Sequence, residues 1–455
     1  MRARSIEQQQ GVGPRGPLGK WKVQEKMRFK HLLRGSIRTK IGISVVASAL
    51  IASGLIIGVG ATSGAAKAPV TITFWNAYND VTETPVMNGI VIPAFEAANP
   101  GIKVKDDTLP YNGMLNKFIA SSAAGDPPDL MRSDIAWVPQ LASEGVLLET
   151  SKQPWFAGMK KNLDPGPLST NLWNGGYYGV PDDTNTQVLF YNKADFAAAN
   201  LTPPTTWAQM ISDAQTLTIP SKGQHGLGVD STDIWNVGPF VWTDGGNFTN
   251  AKWTTATGYM NSAATQAAVQ ELVTLDTTGV IGSDMVGGSG AISGETGFPT
   301  GQYAMYMDGP WATTTYKDAN FTGYGTELIP TGPGGTVSVV GGEDLVIAKD
   351  AKNMADTIKF VKFLESPFAQ LSMADAGDMT PYKNLAADEA TENPALKIFA
   401  QALLTARARP VNQGYGTLDT DFSNELAQML AGKVTVAQGL ATATTEANSA
   451  LHSKS

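Results

Sequence analysis

Cysteine does not occur in this chain of 455 residues. Its absence excludes disulfide staples, thiolate nucleophiles, zinc–thiolate sites and a lipid anchor carried on a cysteine. Histidine is nearly as scarce, with three in all. His31 and His452 lie near the ends, and His225 falls in Ser221-Lys222-Gly223-Gln224-His225-Gly226, which reads as a solvated loop. A Ser-His-Asp triad or a histidine-rich metal site therefore lacks its parts. No catalytic residue, metal or cofactor is assigned. Only 16% of residues are charged, against 42% hydrophobic, a balance that fits neither a disordered chain nor a polytopic membrane protein.

Basic charge is also missing from most of the chain. Residues 1–66 hold 11 Lys and Arg against 2 Asp and Glu. The rest holds 22 basic and 39 acidic residues, a net of −17. Nucleic acid and anionic membranes need a basic footprint, so neither is an expected partner. The same charge disfavours a phosphorylated ligand and leans towards a neutral or cationic one.

What the N-terminus does carry is an address. Residues 27–40 include Arg28, Lys30, Arg34, Arg38 and Lys40, residues 41–59 are apolar and uncharged, and small residues follow from Ala61 to Ala68. This is the three-part pattern of a secretory signal. Cleavage after Ala66 is preferred over Ala68, which Pro69 would follow, and Met27 is a candidate start. The alternative is an uncleaved anchor, since the apolar run approaches spanning length. Either way the body is expected outside the cytoplasmic membrane, in a periplasm or on the outer face of the envelope.

The 48 Gly and 26 Pro imply many short loops. Between them, strand and helix patterns alternate. Residues 70–75 and 188–191 read as strands, as do Ala304 to Met307 and Leu345 to Ile347. Residues 86–98 read as a helix interrupted at Pro93. Thr206 and Gln209 form a capping box ahead of an apolar stripe of Met210, Ala214 and Leu217. Residues 266–277 are helical with Gly279 just past the end. Asn353 is placed to cap a helix carrying Ile358, Val361 and Leu364. Such alternation predicts an α/β fold with mainly parallel sheets, which bind ligands at the carboxyl ends of their strands.

Several segments carry a family likeness in their order. They are Phe95-Glu96-x-x-Asn99-Pro100-Gly101-Ile102-Lys103-Val104; Gly125-Asp126-Pro127-Pro128-Asp129-Leu130 with Trp137 and Glu144-Gly145-Val146-Leu147; and Tyr178-Gly179-Val180-Pro181 running to Leu189-Phe190-Tyr191-Asn192-Lys193. Then come Pro203-Pro204-Thr205-Thr206-Trp207, Asp244-Gly245-Gly246, Phe298-x-x-Gly301-Gln302-Tyr303-Ala304-Met305 and Gly309-Pro310-Trp311. Gly341-Gly342, Arg409-Pro410 and Gly432-Lys433-Val434-Thr435 close the series. Together they resemble the family 1 extracellular solute-binding proteins of ABC importers, the maltose-binding-protein-like sugar type. The resemblance covers residues 70–451.

That resemblance implies the two-lobed, type II periplasmic-binding-protein fold, in which three hinge crossings join the lobes. The crossings map near 183–187, 337–342 and 407–410. Lobe I is expected over 69–182 plus 343–406, and lobe II over 186–336 plus 411–451. It also implies a non-catalytic receptor that closes on a carbohydrate and hands it to a membrane permease, working as a monomer.

Sugars need an aromatic ring against their C–H face and planar polar groups for their hydroxyls. Trp311, after a strand and Asp308-Gly309-Pro310, leads the stacking candidates, against a core residue at a helix start. Trp235 and Trp242 flank Gly238-Pro239 and are read evenly as ligand contacts or packing. Trp75 ends the first strand and reads as cleft floor or core. Trp173 and Trp207 read as structural. Asn79 and Asp80 follow the first strand, Asp134 ends a later one, and Tyr111 opens the helix between. Asp183 and Glu343 flank hinge crossings. Arg409 is a donor to hydroxyls or a hinge salt bridge, with Tyr415 beyond it. For each carboxylate a solvated surface group is the alternative.

Two other classes compete. A polyamine, a glycerol phosphate ester or a metal chelate could occupy the same fold, and Asp80, Asp134, Asp183 and Glu343 could cage a polyamine. A secreted glycosidase would need opposed carboxylates, which Asp182-Asp183 and Glu343-Asp344 could supply. A surface adhesin is less consistent with the aromatic loops.

Overall fold

The β-branched and aromatic run Val70-Thr71-Ile72-Thr73-Phe74-Trp75 forms the first strand of a computed structural model that describes residues 68–452 except 283–284 and 288–290. The secretory signal expected over 1–66 lies outside the described residues. Thirteen strands run through the described part. They are β1 (Val70–Asn76), β2 (Ile102–Thr108), β3 (Leu130–Asp134), β4 (Leu172–Trp173), β5 (Gly176–Tyr177), β6 (Val180–Pro181) and β7 (Val188–Asn192). The others are β8 (His225–Gly228), β9 (Tyr303–Asp308), β10 (Tyr324–Glu327), β11 (Val339–Val340), β12 (Glu343–Ile347) and β13 (Arg407–Ala408).

Two sheets organise two lobes. The first has the order β2-β1-β3-β12-β6 and the second β10-β7-β9-β8. Strand alternation gives β1 a different core on each face. Ile72 and Phe74 pack with Phe95, Phe360 and Leu345, while Trp75 packs towards Phe118, Met131 and Trp137. The second sheet is enclosed by a larger core that includes Leu189, Met305 and Phe422.

The sheets are mixed, where the pattern predicted mainly parallel strands. β1 pairs parallel with β2 and β3, but β12 runs antiparallel to β3, and β7 antiparallel to β9. The physical reason lies in the connections. β7 and β12 are the strands that enter a sheet directly from a hinge crossing, so they meet it from the opposite direction to strands fed by a helix crossover.

The crossings lie side by side. Asn185 and Gly341 exchange backbone hydrogen bonds of 3.0 and 2.9 Å, and β11 pairs with β13. Between them Ser338 Oγ donates to the Gln187 carbonyl at 2.7 Å and accepts from Thr186 Oγ1 at 2.8 Å. Gly342 closes the second crossing at φ +132°, and a Cβ there would lie 2.7 Å from the Asp183 carbonyl oxygen. Only glycine fits this turn.

Local details differ from the pattern in informative ways. Pro93 does not break its helix. The turn before it widens into a π-helical turn over Met87–Val91, and the helical run continues through Pro93 to Ala98, the widened turn making room for the proline ring. Thr206 Oγ1 accepts from Gln209 N at 3.3 Å, but Gln209 answers to Thr205 N instead of Thr206 N. Asn353 holds the N-cap position, as expected, but its side chain makes no cap hydrogen bond. Its Nδ2 donates to the Thr71 carbonyl at 2.9 Å, tying the helix Met354–Leu364 to β1. His225 begins β8 and its Nδ1 meets the Gly279 carbonyl at 2.8 Å, so it is no free loop residue.

The helix Leu396–Leu403 packs Leu396, Phe399 and Ala402 against Phe190, Phe298 and Tyr316 of the second lobe. The same cluster holds Ala374 and Met379, so this helix packs at the seam between the lobes, ahead of the crossing where Arg407–Ala408 pairs with Val339–Val340. No helix of the described residues is long and apolar enough to cross a membrane.

Candidate functional site

All five residues of β3 are buried. Leu130 and Met131 satisfy that burial with apolar neighbours. Arg132, 5% exposed, needs charged partners instead. Its Nε donates to Asp182 at 3.1 Å, and one terminal nitrogen pairs with Asp183, with Glu343 at 3.1 Å and with Glu83 at 3.4 Å. Asp378 stands at 3.9 Å. The guanidinium also lies 4.5 Å from the centre of the Tyr78 ring, a cation–π contact. One cation thus faces five carboxylates drawn from four separate stretches of chain.

That imbalance sets the protonation of the site. Burial holds the carboxyls of Asp182 and Asp183 up at about 6, although Arg132 pulls each the other way. Burial likewise pushes Glu343 well up against the opposing pull of Arg132. Asp378 is raised by burial and then by the Glu83 charge beside it. Burial leaves little water around Asp182, Asp183, Glu343 and Asp378 to spread their charge, so these carboxyls hold protons more tightly than exposed ones do.

The aromatic wall comes from the other lobe. β9 ends at Asp308, and Gly309-Pro310 turns the chain into the helix Trp311–Asp318. A Cβ on Gly309 would sit 2.2 Å from the Trp311 ring, so glycine is required for that ring to fold back over the turn. Trp311 stacks on Trp235, with ring centroids 5.5 Å apart and planes 29° from parallel.

Between wall and carboxylates lies a cavity of about 260 Å³. Ala77, Asn79, Glu83 and Arg132 line it from the first sheet side, with Glu343 and Asp378. Asp183 and Asn185 come from the first crossing, and Glu295, Pro310 and Trp311 from the second lobe. Asn185 is 7% exposed and its Oδ1 accepts no hydrogen bond from the described residues. Glu295 is raised by burial and then by Asp230, while Trp311 acts on it as a hydrogen-bond donor. Among the described residues, no group of three or more His, Asp or Glu side chains is placed to hold a metal ion.

A second polar cluster anchors the third crossing. Arg409 Nη2 donates to both oxygens of Asp134 at 3.0 and 3.2 Å, and both residues are buried. Asp134 also accepts from Tyr111 Oη at 2.9 Å and from the Ala136 amide at 2.6 Å. Arg409 lies 5.8 Å from the centre of the Tyr415 ring.

Of the residues singled out from the sequence, Asn79, Asp183, Trp311 and Glu343 line the cavity, and Trp235 backs it through Trp311. Asp134, Arg409, Tyr111 and Tyr415 gather in the second cluster. Tyr111 keeps 46% of its surface exposed, its ring tilted 38° against that of Trp137, while Tyr415 is buried. Three fall elsewhere. Asp80 is exposed and off the cavity lining. Trp75 packs edge-on against Phe118, with Lys117 4.7 Å above its ring. Trp242 is 2% exposed, edge-on to Phe248 inside the second lobe's core.

Arg132, Glu83, Asn185, Glu295 and Asp378 escaped the sequence reading. One signal was available: an arginine in the middle of Leu130-Met131-Arg132-Ser133-Asp134 has to find buried acids if the strand is internal. The distant acids themselves carry no local signal.

Residues 78–371 match the model of the bacterial extracellular solute-binding protein family, close to two thirds of the chain. A binding protein of Brucella abortus is 24% identical over 361 residues, covering 75% of this chain and 84% of that protein. The maltooligosaccharide ABC transporter solute-binding lipoprotein of Streptococcus pneumoniae is 28% identical over 291 residues, covering 62% of this chain and 66% of that protein. The solved GacH receptor of Streptomyces glaucescens, known unliganded and with acarbose, superposes with a TM-score of 0.76 at 24% identity, covering 86% of this chain and all of that one.

Proposed function

We propose, from the premise that this chain belongs to the bacterial extracellular solute-binding protein family, that it captures a short saccharide between its lobes and presents it to the permease of an ABC importer. The observation that carries the ligand class is the stacked pair Trp235–Trp311 facing planar polar groups across one cavity. An aromatic face suits the C–H face of a pyranose, and Asn79, Asp183, Asn185, Glu343 and Arg132 supply donors and acceptors for its hydroxyls. At about 260 Å³ the cavity lies just below the range of roughly 300–1,000 Å³ usual for small-molecule sites.

Three chain crossings that bond to one another, with Gly342 in a glycine-only turn, fit a hinge about which the lobes close. The relatives named above are binding proteins, and the Streptococcus pneumoniae protein is a maltooligosaccharide one. We take this chain to be a monomeric receptor without catalytic activity, held outside the cytoplasmic membrane. The residues proposed to touch the sugar are Trp311, Asn79, Asp183, Glu343, Asn185 and Arg132. Trp235 supports Trp311 from behind.

A thermal-shift screen against mono- and oligosaccharides, polyols and polyamines tests this reading. A ligand at a hundredfold excess over its dissociation constant adds about 2.7 kcal/mol. The reading expects a shift with one saccharide group that Trp311→Ala cuts to about a third or less. A shift with polyamines alone would remove the sugar, and a panel with no shift would remove the receptor.

A further inference from the structure

The helix Ile234–Thr243 carries Pro239 in its interior. In a helix each carbonyl accepts from the amide four residues on, and proline has no amide hydrogen. The carbonyl that Pro239 leaves open is that of Trp235. Gln187 fills the vacancy, its Nε2 donating to the Trp235 carbonyl at 2.9 Å. Gln187 is fully buried at the end of the first crossing. Its own amide donates to Ser338 Oγ at 3.1 Å, and its carbonyl accepts from the same hydroxyl at 2.7 Å. The side chain that reaches Trp235 is therefore rooted in two crossings at once. The edge of the Trp235 ring meets the second crossing as well. A Cβ on Gly341 would fall 2.7 Å from Trp235 Nε1 and 2.0 Å from Asn185 Oδ1. Gly341 is not among the glycines of positive φ, so it serves close approach and not an unusual backbone angle. Behind the third crossing, Asp419 Oδ1 accepts from the Ile234 amide at 2.8 Å and holds the start of the same helix.

We propose that Gln187 and Gly341 are positioning residues for ligand binding: they fasten Trp235 to the hinge, and through the stack they set where the Trp311 ring stands when a sugar meets it. Neither residue lines the cavity. For its ligand this rests on the saccharide reading above. Pro239 keeps a helix amide out of competition, so the Trp235 carbonyl is reserved for the crossing. The aromatic wall thus takes its position from the hinge and not only from the core of the second lobe.

The test joins circular dichroism of the unliganded chain with calorimetric titration using maltotriose. Two indoles stacked this closely couple their electronic transitions and split the band, and a difference spectrum against Trp235→Phe isolates the share of the pair. Gly341→Ala and Gln187→Met are each expected to alter that split band. Each is also expected to weaken maltotriose about fivefold, the scale of one aromatic contact or hydrogen bond. In the Trp235→Phe background, which lacks the indole nitrogen, Gly341→Ala is expected to cost less than about twofold more. Gln187→Met adds no atom at the Gly341 turn and carries the test if Gly341→Ala fails to fold. A split band unchanged in both variants overturns the assignment, whatever their melting temperatures. A Gly341→Ala loss just as large in the Trp235→Phe background overturns the role of Gly341 and makes Asn185 the side chain it crowds. If maltotriose does not bind the unaltered chain, the saccharide reading fails for that ligand, while the split band by itself still upholds or overturns the assignment.

Discussion

Trp235 and Trp311 stack at 5.5 Å although they come from different helices, and only Trp311 reaches the cavity. The pair therefore has a front ring and a backing ring, and the two should fail differently. Trp311→Ala removes the stacking surface and is expected to cost at least about 2 kcal/mol of binding, roughly thirtyfold in affinity. Trp235→Ala removes only the support, and the expected loss is that of an aromatic pair, about 0.5–1.5 kcal/mol. Titration of both variants with the same saccharide checks the order. Equal losses would mean that both rings touch the ligand.

Asp134 and Arg409 hold the third crossing to the first sheet through a two-oxygen contact in a buried setting. Removing one partner strands the other charge away from water. Asp134→Ala is expected to destabilise the protein by about 3–5 kcal/mol. The double variant with Arg409→Ala is expected to lose less than the sum of the two singles, because the stranded charge is gone. Urea unfolding of the four proteins measures this. Strict additivity would show that the pair is not coupled.

Gly342 occupies φ +132°, against the Asp183 carbonyl. Gly342→Ala is expected to cost about 1–3 kcal/mol of stability from backbone strain alone. Because the strained turn sits between two crossings, ligand affinity is expected to fall as well. A stability loss with unchanged affinity would place the hinge elsewhere.

The buried acids give the unliganded protein an unusual pH response. Asp182 and Asp183 titrate at about 6, and Glu389 and Asp419 at about 7, all raised chiefly by burial. Unfolded carboxyls titrate near 4, so between about 4 and 7 the folded state holds more protons than the unfolded one. Their contribution to stability is complete below that window and is lost as pH rises through it. The melting temperature without ligand is expected to rise on acidification from pH 7 to about 5. A steady fall over that interval would mean that these carboxyls are ionised in the folded state.

Much of the fold was legible because its signals are local. Val70, Val188 and Leu345 begin or sit in strands whose β-branched and aromatic runs stand between turns, and the Asp183, Gly341 and Arg409 segments do meet at the crossings. The sheet directions were not legible, because entry from a hinge reverses a strand without changing its residues. The site was half legible for a similar reason. Trp235 and Trp242 are seven residues apart on the helix Ile234–Thr243, so they share a face but sit about 10 Å apart along its axis. One end of that helix meets Trp311 and the other is sealed in the core. Arg132 was overlooked because its partners, from Glu83 to Asp378, are adjacent only after the chain has crossed between lobes twice.

Calorimetric titration of the purified protein with the saccharide that gives the largest thermal shift distinguishes a receptor from an enzyme. A receptor gives a single saturable site per chain, a return to baseline after saturation, and sugar recovered intact from the cell. Heat that continues after saturation, with cleaved sugar in the recovered sample, would contradict it and make the carboxylates around Arg132 the centre of a hydrolase instead.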